Sequence, residues 1–255
     1  MNMVSWLQLI TLSILQGITE WFPVSSSGHL AIFQNFFGFQ SLSFDIFLHL
    51  ASIIAVVFVL KKEIINILNI KDRKNLKYLF LIILGTIPAG IIGLFFKTQI
   101  ESFFSNLYYL GIFFIISGML VYSTKFSKTR EKEINFVDSL FIGIFQAIAI
   151  LPGISRSGAT ISSGIFRGLK REEAVKFSFL LAIPVILGAS LLELKDLAFS
   201  DISYQMLILS FTITLIVSIF TIKLLLKIVK SDKFYLFGIY NFVIGVLVLL
   251  WSFVK

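Results

Sequence analysis

The residues that could carry out chemistry fall in two short polar segments, each set within an otherwise apolar stretch of chain. In the first segment, Gln16 lies one helical turn before Glu20, so the amide and the carboxylate share a helix face. Such a carboxylate can hold a divalent cation or manage protons, or it can be a neutral group that stabilises a helix break. The segment continues with three hydroxyl groups and an imidazole, those of Ser25, Ser26, Ser27 and His29.

These later residues could form a nucleophilic site. If the chain turns back after Pro23, a serine hydroxyl, the His29 imidazole and the Glu20 carboxylate converge. That set would allow serine attack with histidine as base, or activation of water by histidine. Spacing alone leaves the three serines as alternatives, and a histidine in an apolar setting can also be merely hydrogen-bonded.

The second polar segment contains Arg156, a charge placed within apolar sequence. Ionisable groups at membrane depth are costly and therefore mark functional sites by default. Glycine permits close backbone approach, hydroxyls and freed amides donate hydrogen bonds, and a guanidinium can grip phosphate through two bonds. The segment thus resembles an anion cradle, although Arg156 could instead serve only to pair with Glu20 and hold the two segments together. The candidate binding residues around it are Gly153, Ser155, Ser157, Gly158 and Thr160.

The composition restricts the elements that could position these residues. Of 255 residues, 57% are hydrophobic and 14% are charged, against about 25% charged in soluble domains. A water-soluble globule, a disordered chain and a disulfide scaffold are therefore excluded, and the absence of cysteine excludes thiolate metal sites. We expect a membrane protein surrounded by lipid, and we do not take the net charge of +8 as evidence for a nucleic-acid partner.

The apolar stretches predict an all-α polytopic membrane protein. Six stretches approach the length of about 20 residues that a spanning helix needs. They are residues 45–60, 78–96, 107–124, 174–193, 204–226 and 234–253. Two further stretches, 1–44 and 137–166, are interrupted by the polar segments, where proline and glycine should break a helix. We interpret both as re-entrant helical hairpins, since non-helical backbone at membrane depth must line protein or a wet cavity.

The basic residues support this layout. They cluster in residues 61–77, 125–132, 167–176 and 223–233, which leaves only Lys97, Arg156, Lys195 and Lys255 outside. With six spans and two hairpins, all four clusters fall on one side, which the positive-inside rule identifies as the cytoplasm. Both chain ends are then extracytoplasmic, with the first hairpin opening outward and the second inward.

A weak internal repeat appears when the sequence is shifted by 130 residues. The shift places Gln16, Ile18, Ser25, Ser27 and Gly28 on Gln146, Ile148, Ser155, Ser157 and Gly158. Each copy is followed by three predicted spans, so the halves, about 1–124 and 137–253 of one membrane domain covering 1–255, have inverted topology. Such repeats place a polar site at their interface near the membrane midplane.

Two smaller expectations concern residues near these segments. Asp45 and His49 are four apart on the first predicted span and suggest an ordinary pair along one helix. Trp6, Trp21 and Trp251 fall near the predicted outer side, which suggests anchoring at the membrane interface.

The two polar segments also carry a family resemblance. Residues 16–29, QGITEWFPVSSSGH, and residues 151–160, LPGISRSGAT, resemble the two signatures of the integral-membrane undecaprenyl-diphosphate phosphatases of the bacitracin-resistance type. Chain length and span pattern also fit, so the resemblance covers essentially the whole chain. It implies hydrolysis of undecaprenyl diphosphate to undecaprenyl phosphate and inorganic phosphate at the bacterial cytoplasmic membrane, with the site facing outward. This reaction recycles the lipid carrier of peptidoglycan synthesis and confers resistance to bacitracin.

The resemblance also implies residue roles. Glu20 would bind a divalent cation, Mg²⁺ or Ca²⁺, or polarise the diphosphate, with Ser26 as nucleophile and His29 as general acid and base. Arg156 would hold phosphate, supported by Ser155, Ser157 and Thr160. Many relatives carry glutamate where this chain has Gln16, whose amide can offer an oxygen but cannot act as a base. The oligomeric state is open, and a homodimer is one alternative.

A lipid-phosphate transporter would need the same anion site and the same inverted repeat. The combination of serine, histidine, glutamate and arginine is richer than binding alone requires, which favours an enzyme. A protein with both activities stays open as an alternative. A purely structural membrane subunit would leave Arg156 and Glu20 unexplained.

Overall fold

The computed structural model describes residues 5–104, 106–128, 132–193 and 202–254, and every regular element in these ranges is a helix. Lys195 and Lys255 lie outside them. The first half contains α1 (Trp6–Thr19), α2 (Ser26–Phe37), α3 (Leu42–Val59), α4 (Lys61–Leu68), α5 (Arg73–Phe95), α6 (Lys97–Phe104), α7 (Leu107–Tyr122) and a 3₁₀ turn (Ser123–Phe126). The second half contains α8 (Phe136–Ile148), α9 (Arg156–Phe166), α10 (Arg171–Glu193), α11 (Tyr204–Ile228) and α12 (Leu236–Val254).

Five helices in the described ranges are long and apolar enough to cross a membrane, namely α3, α5, α7 with its 3₁₀ turn, α10 and α11. They coincide with five of the six spans expected from sequence. The sixth expected span coincides with α12, whose apolar stretch, Leu236–Ser252, is shorter. The protein is therefore a multi-pass membrane protein, and it is all-helical over the residues that the structure describes.

Both interrupted stretches form two short helices joined by a break. The helices α1, α2, α8 and α9 have 14, 12, 13 and 11 residues. At about 1.5 Å per residue, each reaches about 16–21 Å, well short of the roughly 30 Å hydrocarbon layer. The breaks contain Pro23 and Pro152, as the sequence predicted.

Serines restart the helix after each break. The Ser25 and Ser155 side chains are the N-caps of α2 and α9, and they accept hydrogen bonds from the backbone N–H groups of Gly28 and Gly158. These caps satisfy amides that the first helical turn leaves free. Helix capping thus explains two of the serines in the polar segments, and these two serines lie 130 residues apart in the sequence.

Glycines allow a close backbone contact between α7 and α12. A Cβ added to Gly118 would lie 2.8 Å from the Gly238 carbonyl oxygen, and one added to Gly111 would lie 3.0 Å from that of Gly245. The nearest atoms opposite Gly111, Gly118 and Gly238 are backbone, and Gly245 also meets the Ile115 side chain, so larger side chains would force the helices apart. We call these four glycines the α7–α12 seam.

The two halves pack on each other in a matching pattern. Helix α1 packs against α11, and α8 packs against α5; likewise α3 packs against α11, and α10 against α5. Helix α7 packs against α12, and α3 against α10. When the halves are exchanged, the first four contacts are converted into one another in pairs, and the last two are converted into themselves.

One expectation about tryptophan is wrong. Trp21 is 0% exposed, because the first break turns its ring inward against α10 instead of toward the membrane interface. Its ring packs edge-on against Phe179, with 4.8 Å between ring centroids. Trp6 is exposed at the start of α1, and Trp251 is partly buried near the end of α12.

Candidate functional site

The two breaks meet in the interior of the protein. A Cβ on Gly28, in the first turn of α2, would lie 3.1 Å from the Gly153 Cα atom in the second break. The Ser157 hydroxyl, in the first turn of α9, donates to the Phe22 carbonyl oxygen at 3.0 Å. The N-terminal ends of two helices therefore converge, and both bring free amides and positive dipole ends to the same region.

Glu20 is the centre of this region and is 6% exposed. Its Oε1 atom accepts a hydrogen bond from Arg156 Nη2 in an ion pair that joins the two breaks. Its Oε2 atom accepts from the Ser26 hydroxyl at 2.6 Å and from Gln16 Nε2 at 3.1 Å. Four of the residues chosen from sequence are thus in direct contact, including the pair of Glu20 and Arg156 considered there as an alternative role.

Arg156 has a hydrogen-bond donor that Glu20 does not use. Its Nη2 atom serves Glu20, whereas its Nη1 atom is buried and has no hydrogen-bond partner among the described residues. The guanidinium carbon lies 5.5 Å from the centroid of the Trp21 ring, which stacks against it. A buried donor without an acceptor is costly, so this nitrogen is suited to an anionic ligand.

The remaining polar residues of the second segment hold the backbone in place. The Thr160 hydroxyl donates to the Arg156 carbonyl oxygen at 2.9 Å and lies 2.6 Å from the Ser178 hydroxyl on α10. The Ser155 and Ser157 hydroxyls lie 3.3 Å apart, and those of Ser25 and Ser27 lie 3.4 Å apart in the first segment.

Glycines give these segments their shape. Gly153 has a φ of +100°, a conformation that L side chains rarely adopt. A Cβ on Gly158 would lie 2.9 Å from the Ser155 Cβ atom. These two glycines therefore shape the second break, and the hydroxyls beside them are already engaged with protein groups.

The structure separates His29 from the other candidates. The Ser26 hydroxyl contacts the Glu20 carboxylate rather than the imidazole. His29 Nδ1 lies 2.8 Å from the Ser25 carbonyl oxygen, and Nε2 lies 2.8 Å from the Tyr240 hydroxyl on α12. Of the three serines left open by spacing, Ser26 is the one that contacts the Glu20 carboxylate, and His29 takes no part in that contact.

His49 belongs to the site, although its spacing suggested only an ordinary pair with Asp45. Its Nε2 atom lies 3.3 Å from Glu20 Oε2, and its Nδ1 atom lies 2.7 Å from the Asp45 carbonyl oxygen. The Asp45 carboxylate accepts instead from Gln34 Nε2 at 2.7 Å. His49 and Asp45 thus do contact each other along α3, through the imidazole and a backbone carbonyl, and because α3 packs against α1, His49 also reaches Glu20.

Asn241 and Ser117 also reach the site, although neither was expected there from the sequence. Asn241 Nδ2 donates to the Pro23 carbonyl oxygen at 2.7 Å and lies 3.4 Å from the Ser117 hydroxyl. That hydroxyl accepts from the Ser155 backbone N–H at 3.1 Å. Helices α12 and α7 thus tie both breaks together, through residues that carry no motif signal.

The oxygen ligands around Glu20 are too few to bind a cation unless the substrate and water supply further ligands. Within the described ranges, no group of three or more histidine, aspartate or glutamate side chains could hold a metal ion. However, Gln16 Oε1 is buried without a hydrogen-bond partner in that part of the chain, and its amide adjoins Glu20. Gln16 presents its nitrogen to Glu20, and a half-turn of the amide would bring Oε1 beside the carboxylate instead. One carboxylate and one amide oxygen would then suit a hard divalent cation whose other positions are filled by substrate oxygens and water.

Comparisons with known proteins show the family of this chain. The family model described as bacitracin resistance protein BacA matches residues 9–247. An undecaprenyl-diphosphatase from Desulforapulum autotrophicum is 41% identical over 97% of this chain and 98% of its own length. Proteins of the same name from Methanococcus maripaludis and Carboxydothermus hydrogenoformans are 42% and 40% identical over 94% and 95% of this chain, and over 98% and 95% of their own lengths. The chain belongs to the bacitracin resistance protein BacA family.

Proposed function

We propose that this protein is an undecaprenyl-diphosphatase that converts undecaprenyl diphosphate into undecaprenyl phosphate and inorganic phosphate. Its membership of the BacA family and the names of its relatives support this activity. The observation that carries it is the buried, unpartnered Nη1 atom of Arg156, which lies on the same guanidinium that pairs with Glu20. By this reaction the protein returns the lipid carrier to cell-wall synthesis and confers resistance to bacitracin.

The terminal phosphate would bind where α2 and α9 begin. Arg156 Nη1 and the first amides of both helices would donate to its oxygens. Phosphoryl transfer requires mainly positioning and charge stabilisation, and these donors are held by the N-cap serines and by the ion pair to Glu20. The polyprenyl chain would stay in lipid between the spanning helices.

The contact of 2.6 Å between Ser26 and Glu20 supports Ser26 as nucleophile. Its oxygen would attack the terminal phosphorus while its proton moves to Glu20, and the bond from phosphorus to the bridging oxygen breaks. Undecaprenyl phosphate then leaves, and water hydrolyses the phosphoserine with His29 as its base. A phosphate bound at Arg156 Nη1 shares the positive charge of the guanidinium with Glu20, which makes the carboxylate a better proton acceptor. The alternative is direct attack by water with His29 as its base.

A divalent cation, Mg²⁺ or Ca²⁺, would be held by Glu20 and Gln16 together with diphosphate oxygens. When bound, it supplies positive charge that neutralises the substrate.

We also propose the finer membrane layout, in which six spans and two re-entrant hairpins form one domain of two inverted halves. The exchangeable packing of the helices supports it. So do the N-caps at Ser25 and Ser155, and the glycines with positive φ after α2 and α9, Gly38 and Gly168. Each of these pairs is separated by 130 residues. We also propose that the protein lies in the cytoplasmic membrane with its site open to the outer face, as the resemblance to the family implies. A homodimer stays a prediction.

The inverted arrangement also favours a second candidate, a transporter of lipid phosphate. Phosphate release in detergent separates the two, because no transport can be observed there. Purified protein would be given undecaprenyl diphosphate with and without a chelator. An enzyme releases phosphate in a cation-dependent manner, whereas absence of release by folded protein would reject the proposed activity.

Variants test the assigned site in the same assay. Arg156→Ala and Glu20→Ala should abolish release while the protein stays folded, and near-normal turnover in either would reject the site. For Ser26, the test is trapping of a phosphoserine in the wild type and its loss in Ser26→Ala. Ser162→Ala is the control, since this buried hydroxyl on α9 has no partner among the described residues. If no phosphoenzyme forms and Ser26→Ala stays active, water is the nucleophile.

A further inference from the structure

His29 lies between two aromatic rings contributed by helices of different halves. Phe114 on α7 meets the imidazole edge-on, with ring centroids 5.3 Å apart. Tyr240 on α12 lies nearly parallel to it, at an angle of 10° with centroids 5.8 Å apart. The Tyr240 hydroxyl also reaches His29 Nε2 at 2.8 Å. The imidazole is therefore held by packing from two sides and by one long-range hydrogen bond.

The partners of the two ring nitrogens determine where the proton lies. His29 Nδ1 faces the Ser25 carbonyl oxygen, which can only accept, so Nδ1 carries a hydrogen. In the neutral ring, Nε2 is then the basic nitrogen and accepts from the Tyr240 hydroxyl. Within the described ranges, the Tyr240 hydroxyl is the only group that forms a hydrogen bond with His29 Nε2.

The surroundings of Tyr240 argue that its hydroxyl, rather than its ring alone, matters. The residue is 43% exposed and lies beside Ile239, Phe242 and Val243, which are exposed on the apolar surface of α12. A phenylalanine would suit that surface equally well. Instead the tyrosine directs its polar group inward to a buried histidine, while the next residue, Asn241, binds the Pro23 carbonyl oxygen of the first break.

We propose that Tyr240 is a positioning residue for His29, which fixes the orientation of the imidazole and keeps Nε2 as its basic nitrogen. This role rests on the proposed phosphatase activity. The hydroxyl serves both states of the histidine, because it donates to Nε2 in the neutral ring and accepts from Nε2–H in the imidazolium. Tyr240 keeps its own proton: its hydroxyl leaves the Nε2 lone pair when the attacking water gives its proton to that nitrogen, and its oxygen then accepts from Nε2–H.

Kinetics of Tyr240→Phe test the role, because this variant keeps the ring and removes the hydroxyl. We expect kcat to fall by about 5- to 50-fold with KM unchanged, which is less than the roughly 10²- to 10⁴-fold total contribution of a general acid–base group. The matched control is Tyr235→Phe, which removes a hydroxyl that has no hydrogen-bond partner in the described part of the chain. Wild-type kcat in Tyr240→Phe, or an equal loss in both variants, overturns the proposal.

Nitrogen NMR tests the hydrogen bond independently of activity. The chain contains two histidines, so protein labelled with ¹⁵N in histidine side chains gives two imidazoles, which His49→Gln assigns. In the wild type we expect His29 with a protonated Nδ1 and a hydrogen-bonded, unprotonated Nε2. In Tyr240→Phe, the Nε2 resonance should move toward that of an unbonded nitrogen while Nδ1 stays unchanged. An unchanged Nε2 resonance overturns the proposal, whereas an inactive wild type with the expected spectrum rejects only the phosphatase activity.

Discussion

Replacement of Arg156 by lysine tests most directly how the site binds phosphate. The guanidinium has three functions at once: Nη2 bonds to Glu20, Nη1 is free for a ligand, and the face stacks on Trp21. Lysine keeps the positive charge but has a single compact ammonium group. It can remain with Glu20 or serve the substrate, but it cannot reproduce the fork and the stacking together.

The size of the effect follows from the interactions that lysine cannot make. A hydrogen bond to a charged group contributes about 1.5–3 kcal/mol. The stacking of Arg156 on Trp21 contributes about 0.5–1 kcal/mol. Together they give about 2–4 kcal/mol, and at about 1.4 kcal/mol per tenfold change, kcat/KM should fall by about 30- to 700-fold.

The assay is the initial rate of phosphate release from undecaprenyl diphosphate by purified protein. Arg167→Lys is the matched control, because Arg167 is the C-cap residue of α9, the helix that begins at Arg156. Arg167 likewise donates to a buried carboxylate, that of Asp138, at 2.7 Å, and it lies 5.7 Å from the centroid of an aromatic ring, that of Phe141. Its turnover should match the wild type, with any cost confined to thermal stability. The reasoning is refuted if Arg156→Lys stays within about threefold of the wild type, which corresponds to about 0.7 kcal/mol, or if both variants lose activity equally.

Three further predictions concern packing, cation binding and the orientation of the carboxylate. Gly118→Ala should lower the free energy of unfolding by about 1–3 kcal/mol, because the added Cβ meets the backbone of α12. Gly90→Ala is the control and should not lower it, because the space around Gly90 is open. Thermal unfolding in detergent compares the two variants. Gln16→Glu adds a carboxylate beside Glu20 and should lower the Mg²⁺ concentration that gives half-maximal phosphate release, and an unchanged concentration would speak against a cation between them. His49→Ala removes the contact to Glu20 and should reduce kcat/KM, while His49→Gln, which can still donate to the carboxylate, should restore part of it; equal rates in both variants would contradict a positioning role.

Much of the molecule follows from local features of the sequence. The apolar stretches predicted the spanning helices, since the length and composition of such a stretch are properties of the segment itself. Pro23 and Pro152 marked the breaks, because proline lacks the donor that a continuing helix needs. The rarity of charge within these stretches singled out Glu20 and Arg156, which the structure joins in one ion pair.

Only the tertiary structure decided which other residues reach the site. His49 contacts Glu20 because α3 packs on α1, and Trp21 is buried because the first break turns its ring toward α10. Tyr240 bonds to His29 across 211 positions of sequence, since the α7–α12 seam brings α12 beside the first break. Residue type and helical spacing describe which face a side chain occupies, but they do not state which helix that face will meet. That choice depends on how the glycines and apolar surfaces of distant helices fit together.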